Sequence, residues 1–342
     1  MGWSAYVAII LGLALLMVVH EGGHHLVARA FGMRVVRFSI GFGPPLWRHR
    51  SKNGETVYQV ALIPFLAYVQ IAGMNPFEEN DPDDKGSYAN ASLSARIATV
   101  FAGPLANYLF ASVLFFGALI IGGQQVASTQ VTVTEDGPAA AADMQSGDRI
   151  VEIDGTQIES FEQMREIILA SPGEALAITV QRDGQRVPLQ VTPEAKPEGG
   201  QIGVITVEET ISVGLEEAAV RSAILPARVV QLLVVGLTRI VTGQEEADLT
   251  GPIGIVKHGA KSVELGGVAG LLRFLGMLSA YLGGFNLLPI PALDGGRLMF
   301  LGYEAVARRK PNQAIEAHIH AVGLLMFLAL MLVVSVFDIR GD

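Results

Sequence analysis

Residues 6–24 read Tyr6-Val7-Ala8-Ile9-Ile10-Leu11-Gly12-Leu13-Ala14-Leu15-Leu16-Met17-Val18-Val19-His20-Glu21-Gly22-Gly23-His24. The stretch ahead of His20 carries no charge, so a metal-binding pattern stands inside what reads as a membrane helix. On a helix, residues four apart share a face, and His20 and His24 can direct two imidazoles at one ion. Glu21 lies one residue round, near enough to act on a water held there. Ionisable groups are costly inside a bilayer and are functional-site candidates by default.

Three readings compete for this segment. A helix that carries two histidines and a glutamate by chance leaves Glu21 in apolar surroundings with nothing to offset its cost. A secretory signal peptide needs a Lys or Arg ahead of the apolar run and a small-residue cleavage site after it. Neither is present, Ala28-Arg29-Ala30 being the nearest approach. The third reading is an intramembrane metal site, and the remainder of the chain has to decide it.

Half of the 342 residues are hydrophobic and 17% are charged, against about 25% in an ordinary soluble domain. The apolar share is concentrated in blocks, which points to a membrane protein. With no cysteine, there is no disulfide framework and no thiolate ligand or nucleophile, so any metal must be held by His and carboxylate groups. The formal charge of −9 argues against a nucleic-acid partner.

About 20 apolar residues cross a bilayer. Four blocks meet that length or nearly do: about Ser4 to Ala30, Ile97 to Ile121 with Gly103-Pro104 early in it, Val268 to Leu288, and His320 to Phe337. A fifth candidate, Leu215 to Val241, carries Glu216, Glu217, Arg221, Arg228 and Arg239, and its clean apolar core, Val229 to Leu237, is short. It is expected as an amphipathic helix on the membrane surface. The chain therefore divides into a first helix pair with a β-loop (1–122), an insert (126–207), a surface helix with its connection (208–265) and a second helix pair (266–342).

The insert alternates apolar and polar residues in short strands, with turns at Asp154-Gly155 and Asp183-Gly184 and one helix over about Ser160 to Ala170. Its run Gly137-Pro138-Ala139-Ala140-Ala141-Ala142-Asp143-Met144-Gln145-Ser146-Gly147-Asp148-Arg149-Ile150-Val151-Glu152-Ile153-Asp154-Gly155 resembles a PDZ domain of the bacterial, permuted kind. Another small β-rich domain is the alternative.

Lys and Arg set orientation. The segment between blocks one and two holds Arg29, Arg34, Arg37, Arg48, Arg50, Lys52, Lys85 and Arg96, and that between blocks three and four holds Arg297, Arg308, Arg309 and Lys310. Both segments are expected in the cytoplasm, with the termini and the insert outside. His20 then lies roughly 25 Å into helix one at 1.5 Å per residue, in the cytoplasmic half of the membrane. The third block ends at that depth in Asn286-Leu287-Leu288-Pro289-Ile290-Pro291-Ala292-Leu293-Asp294-Gly295-Gly296, where the prolines break the helix. Gly103 and Asn107 of the second block reach the same level. Asp294-Gly295-Gly296 reads on its own as a plain turn. With His20 and His24 it also completes a catalytic set of two histidines, one carboxylate and one water.

In their order, His20-Glu21-Gly22-Gly23-His24, Gly103-Pro104-Leu105-Ala106-Asn107, the PDZ-like run and Asn286 to Gly295 resemble the site-2 protease family, in the bacterial branch typified by the regulator of sigma-E protease. The likeness covers nearly the whole chain. It implies a mainly α-helical polytopic membrane protein of about four transmembrane helices, with a membrane re-entrant β-hairpin and an inserted α+β PDZ domain. It implies a zinc metalloendopeptidase of the bacterial inner membrane that cuts single-pass membrane proteins, such as a trimmed anti-sigma factor or remnant signal peptides. The PDZ domain would filter by size or capture peptide termini. Several relatives carry two PDZ domains and this chain has room for one, which puts gating by a PDZ pair in doubt.

In that reading His20, His24 and Asp294 hold Zn²⁺, although Co²⁺ or another divalent ion suits the same ligands. Glu21 is the general base and returns the proton to the leaving amine. Asn286 and Asn107 are candidates for holding the substrate backbone or the oxyanion. Helix capping at the proline break is the alternative for Asn286, and Gly103 is better explained by close helix packing. His25 and His258 are expected to be non-ligands. The stretch Val35 to Met74, with a turn at Asn53-Gly54, is expected to offer an edge strand to the unwound substrate; a plain cytoplasmic hairpin is the other reading. The competing functions are a non-catalytic PDZ membrane scaffold, in which Glu21 is dispensable, and a metal transporter, which needs charges spread across the membrane depth.

Overall fold

The uncharged run ahead of His20 continues through the motif as one helix, α1 (Trp3–Ala30), in a computed structural model that describes residues 2–75, 81–245 and 250–340. A Schellman cap stops it: Gly32 at φ 76° donates to the Arg29 carbonyl (3.0 Å) and Met33 to the Ala28 carbonyl (2.9 Å). The chain then enters β1 (Val35–Arg50) and β2 (Val57–Ile71). The turn between them holds Asn53-Gly54 inside a loop closed by Ser51 N–H on the Thr56 carbonyl, 2.8 Å. The first part of β1 is flanked on both sides by β2, since Phe38 faces Val69 on one edge and Tyr58 on the other, while Arg50 returns to Val57. Residues 67–71 are left as an outer edge. That is more elaborate than the two-stranded hairpin the sequence suggests.

Helix α2 (Leu93–Gly122) keeps Pro104 inside it. Residues 123–213 form a separate compact unit, described below. Helix α5 (Leu215–Val241) follows it, then α6 (Pro252–Asn286), α7 (Asp294–Ala307) and α8 (Gln313–Arg340). By length and composition five of these can cross a membrane: α1, α2, α5, α6 and α8. The expected count is about four, with α5 laid on the membrane surface instead of crossing it. The charges Glu216, Glu217 and Arg221 crowd into the start of α5, leaving Arg228 and Arg239 as the only ones over 222–241. Residues 246–249 of the expected connecting segment lie outside the described residues.

Helix α6 is two arms. Its backbone leaves the helix at Gly267 (φ 54°, ψ −137°). Fifteen residues of straight helix would separate Gly259 from Phe274 by about 22 Å, yet a Cβ at Gly259 would touch the Phe274 ring. The chain therefore folds back at Gly267, and the apolar block expected from Val268 is the second arm. Its end brings the chain to the proline loop, but Asp294 then opens a new helix, α7, where the sequence suggested only a turn.

In the helical unit α1, α2 and α6 pack together through Leu16, Leu114 and Leu275, with Ala111, Phe115 and Ala280 beside them. Gly23 and Gly103 mark the closest approach of α1 and α2: a Cβ at Gly23 would strike the Ala102 carbonyl, and one at Gly103 the His24 ring. Small residues of this kind let membrane helices come together.

The unit 123–213 comprises β3 (Gln124–Val133), α3 (Pro138–Ala141), β4 (Arg149–Ile153), β5 (Thr156–Gln157), α4 (Phe161–Ala170), β6 (Leu176–Arg182), β7 (Gln185–Val191), β8 (Glu194–Lys196), β9 (Gly199–Gln201) and β10 (Val204–Ile211). Its main sheet runs β10-β3-β4-β6-β7, with β5 beside β4. Alternation holds in β6, where Ile178 and Val180 turn inward with Val191 of β7 onto Met164 and Ile168 of α4, whereas in β4 a register shift between Ile150 and Glu152 brings both Ile150 and Ile153 to the core. Asp183 (φ 49°) and Gly184 (φ 80°) make the tight turn between β6 and β7. Ser160 caps α4 by accepting from Gln163 N–H at 3.2 Å.

Candidate metal centre

Helix α1 delivers His20 and His24 on one face, each 5% exposed. Asp294 reaches them from the first residue of α7. Its Oδ2 stands 3.2 Å from His20 Nε2 and 3.3 Å from His24 Nε2, and the two Nε2 atoms are 3.3 Å apart. Among the described residues this is the one group of three such ligands, all within 4.8 Å of one another.

Two lone pairs converge here, with His20 Nε2 beside them. His24 Nδ1 lies 2.8 Å from the Thr99 carbonyl, which can only accept, so Nδ1 carries the proton and Nε2 of the neutral ring is bare. Asp294 Oδ2 is buried without a hydrogen-bond partner. Buried polar atoms left this way ask for an explanation, and a cation supplies one. Tetrahedral zinc with bonds of about 2.0–2.2 Å to N and O sets its ligand atoms roughly 3.3–3.5 Å apart, and the observed triangle has nearly that edge. The residues fit the ion.

The surroundings hold the ligands in place. The Thr99 carbonyl fixes the His24 ring, as second partners of ligating histidines do. Asn107 is fully buried, its amide 3.4 Å from His20 Nδ1, with Oδ1 unpartnered. A His20 ring that offers Nε2 to a metal keeps its proton on Nδ1 and needs an acceptor; turning the Asn107 carboxamide over presents Oδ1 to it. Ser279 of α6 donates to the Asn107 carbonyl at 2.8 Å. Gly103 leaves the space that the His24 ring fills.

Glu21 is aimed differently from the histidines. Its Oε2 accepts the Val69 N–H of β2 at 2.9 Å. Asn286, in the last turn of α6, donates its side-chain amide to the Leu282 carbonyl at 2.9 Å. It is thus bound to its own helix, with no contact to the three ligand atoms. His25 faces the β-loop, 3.3 Å from the Tyr58 hydroxyl and in edge contact with Phe38. His258 is exposed on the first arm of α6.

Two supports escaped the sequence reading. A backbone acceptor such as Thr99 has no sequence signature. Arg96 of α2 and Glu304 of α7 form a two-pronged, largely buried pair (2.9 and 2.5 Å) that ties the helix beginning at Asp294 to the helix bearing Asn107. An arginine at the edge of one apolar block and one of three acids between two others were its only signals.

The sequence pattern of the family described as "Peptidase family M50" matches residues 8–330. "Putative zinc metalloprotease mll0638" of Mesorhizobium japonicum is 34% identical, over 96% of each chain. "Putative zinc metalloprotease all3971" of a Nostoc species is 32% identical, over 93% of this chain and 91% of its own. "Zinc metalloprotease RasP" of Geobacillus kaustophilus is 30% identical, over 95% of each. Among solved structures, the PDZ domain of the SdrC-like protein of Listeria innocua is 26% identical over 24% of this chain and 93% of its own. Its TM-score of 0.21 is too low to bear on the fold.

Proposed function

The chain belongs to peptidase family M50, the site-2 protease family, and from that premise we propose an intramembrane endopeptidase that cuts the transmembrane segments of single-pass membrane proteins. It is a zinc metalloprotease and a multi-pass membrane protein. In our reading His20, His24 and Asp294 hold the ion and Glu21 is the general base. The observation that carries this is the triangle of ligand atoms with edges of 3.2 to 3.3 Å, with Glu21 adjacent in sequence.

Bound zinc supplies Lewis acidity, lowering the pKa of water towards about 7 and polarising a carbonyl oxygen. Glu21 takes the proton of the attacking water and returns it to the departing amide nitrogen, so that one peptide bond and one water become a carboxyl and an amine. Thr99 and Asn107 hold the imidazoles in the orientation the reaction needs.

A helical substrate cannot be cut as a helix, because its carbonyls are already bonded within it. The substrate must lie extended, and residues 67–71 of β2 supply an edge for it. Two facts support that reading. Val69 N–H points off the sheet, towards Glu21. A cavity of about 310 Å³ runs beside Tyr68, Val69 and Met74, with Arg297 of α7 at its wall. A substrate strand at this edge would compete with Glu21 for the Val69 N–H, so docking itself would release the base.

We further read the unit 123–213 as the PDZ domain, binding peptide termini or filtering by size. We place the protein in a bacterial inner membrane with this unit and both termini outside and the active site towards the cytoplasm. Substrates of the anti-sigma or signal-remnant kind follow from the family likeness. Co-expression of a tagged single-pass substrate with wild type and Glu21→Gln tests the function: cleavage is expected with wild type alone. Equal cleavage by both would leave the scaffold reading in its place.

A further inference from the structure

The loop that carries the third ligand is irregular. Between α6 and α7, Ile290 N–H bonds to the Leu288 carbonyl (2.7 Å) and Leu293 N–H to that of Ile290 (3.2 Å). Ala292, two residues ahead of Asp294, sits at φ 74°. That left-handed conformation costs free energy in any residue with a Cβ, and it persists only where the surroundings enforce it. Ala292 is also exposed on a membrane protein, where a backbone N–H outside a helix needs a protein partner.

The partner comes from α8. His320 Nδ1 accepts the Ala292 N–H at 2.9 Å. Three residues on, Gly323 lets α8 lie against the loop: a Cβ there would stand 2.9 Å from the Pro291 carbonyl group. The His320 ring is held by Phe300 of α7, centroids 5.6 Å apart, and its Nε2 is buried and meets no partner. Its bond to Ala292 is therefore what the ring does in this fold. Sequence reading took His320 only as the edge of an apolar block.

We propose that His320 is a positioning residue for the metal centre, holding the strained Ala292 so that Asp294 meets His20 and His24. The proposal rests on the assignment of His20, His24 and Asp294 as zinc ligands. It does not touch the metal, so its effect travels through the loop alone.

The test uses the full-length protein in nanodiscs and reads zinc affinity by chelator competition, with the visible spectrum of the Co²⁺-loaded protein as a second signature. His320→Phe keeps a ring and loses the acceptor. His320→Met does the same with a flexible side chain, and serves if the phenylalanine variant does not fold. His320→Asn keeps an acceptor, its Oδ1 standing in for Nδ1. The Phe and Met variants should bind zinc about 10- to 100-fold more weakly, the usual effect of losing an outer support of a metal ligand. Their Co²⁺ spectra should move towards that of Asp294→Ala, and His320→Asn should stay near wild type in both readouts. Wild-type affinity in the Phe or Met variant, with Asp294→Ala weak, overturns this proposal alone. So does an Asn variant as weak as the Phe one. Wild-type affinity in Asp294→Ala overturns the ligand assignment and the proposal together. Cleavage is not read at all, so a failure here is separable from a failure of the protease reading.

Discussion

Glu21 and Val69 are joined by a 2.9 Å hydrogen bond from the backbone N–H of β2 to the carboxylate of α1. The residue proposed as general base is thus tied to the edge strand proposed to receive the substrate. A hydrogen bond to a charged acceptor contributes about 1.5–3 kcal/mol, enough to fix where the carboxylate points.

Replacing Glu21 separates chemistry from metal binding. Glu21→Gln keeps the size and removes the base, while His20, His24 and Asp294 are untouched. Cleavage of a tagged single-pass substrate should fall by about 10²- to 10⁴-fold, the usual share of general acid–base catalysis. Zinc content by elemental analysis should stay at the wild-type level; a zinc-free Glu21→Gln protein would make Glu21 a ligand.

Val69→Pro removes the one N–H that Glu21 accepts and blocks strand pairing at the same point. Val69→Ala keeps the N–H. The proline variant should lose cleavage by at least about tenfold, in line with one charge-assisted hydrogen bond, and the alanine variant should lose little. Equal activity of the two would show that this edge takes no part in binding the substrate.

Gly103→Ala tests packing against chemistry. A Cβ there runs into the His24 ring, so the ring or the α1–α2 crossing must give way, at about 1–3 kcal/mol for an overpacked contact. Weakened zinc binding together with a lower Tm is expected. Zinc affinity unchanged from wild type would mean that His24 is not held where the Thr99 carbonyl sets it.

Much of this site was legible. The i, i+4 histidines inside an uncharged run called for a helix and a metal, and Asp294 was reached from its depth together with the ligand count of two histidines and one carboxylate. The Asp183-Gly184 turn and the helix after Ser160 came straight from local chemistry. Long-range and backbone features were not legible. Nothing in Asp294-Gly295-Gly296 announces that a helix begins there, because two glycines read as a stop; Glu304, anchored by Arg96 from 208 residues away, helps to hold it. Asn286 stood in a motif yet bonds within its own helix. The fold-back at Gly267 had a local signal in Gly266-Gly267, but the double flanking of Phe38 by Val69 and Tyr58 depends on a pairing that no local pattern encodes.

The Arg96–Glu304 pair should be worth more broken than replaced. Its side chains are 8% and 12% exposed, and stranding one buried charge costs about 3–5 kcal/mol, whereas an apolar pair of similar volume is often neutral. Glu304→Leu should lower the Tm in nanodiscs strongly, and Arg96→Met with Glu304→Leu should recover most of it. A double variant no better than the single one would show that the pair sets the position of α7 by its geometry and not merely by its charge balance.

Acid should weaken the unit 123–213 at one identifiable pair. Burial pushes the Asp148 carboxyl upwards, but Arg182 grips it with Nε at 2.8 Å and Nη2 at 2.7 Å, and Gln145 N–H adds a bond at 2.9 Å. These bonds prevail, so the folded carboxyl titrates below its ordinary value. A group depressed on folding adds stability that is fully present above its unfolded pKa of about 3.9 and is lost as the pH falls through the lower, folded value. The loss should therefore begin near pH 4 and grow below it, while between pH 5 and 8 the pair contributes its full, pH-independent share. Asp148→Asn, which cannot ionise, should cost about 2–3 kcal/mol at neutral pH, between an exposed and a fully buried pair. It should also flatten this part of the acid limb. Chemical denaturation of the full-length protein at pH 7, 5, 4 and 3, followed by hydrogen exchange at Ile150, Ile178 and Val180, reads both effects. Wild type and Asp148→Asn losing protection in parallel below pH 4 would assign the acid sensitivity to other carboxylates.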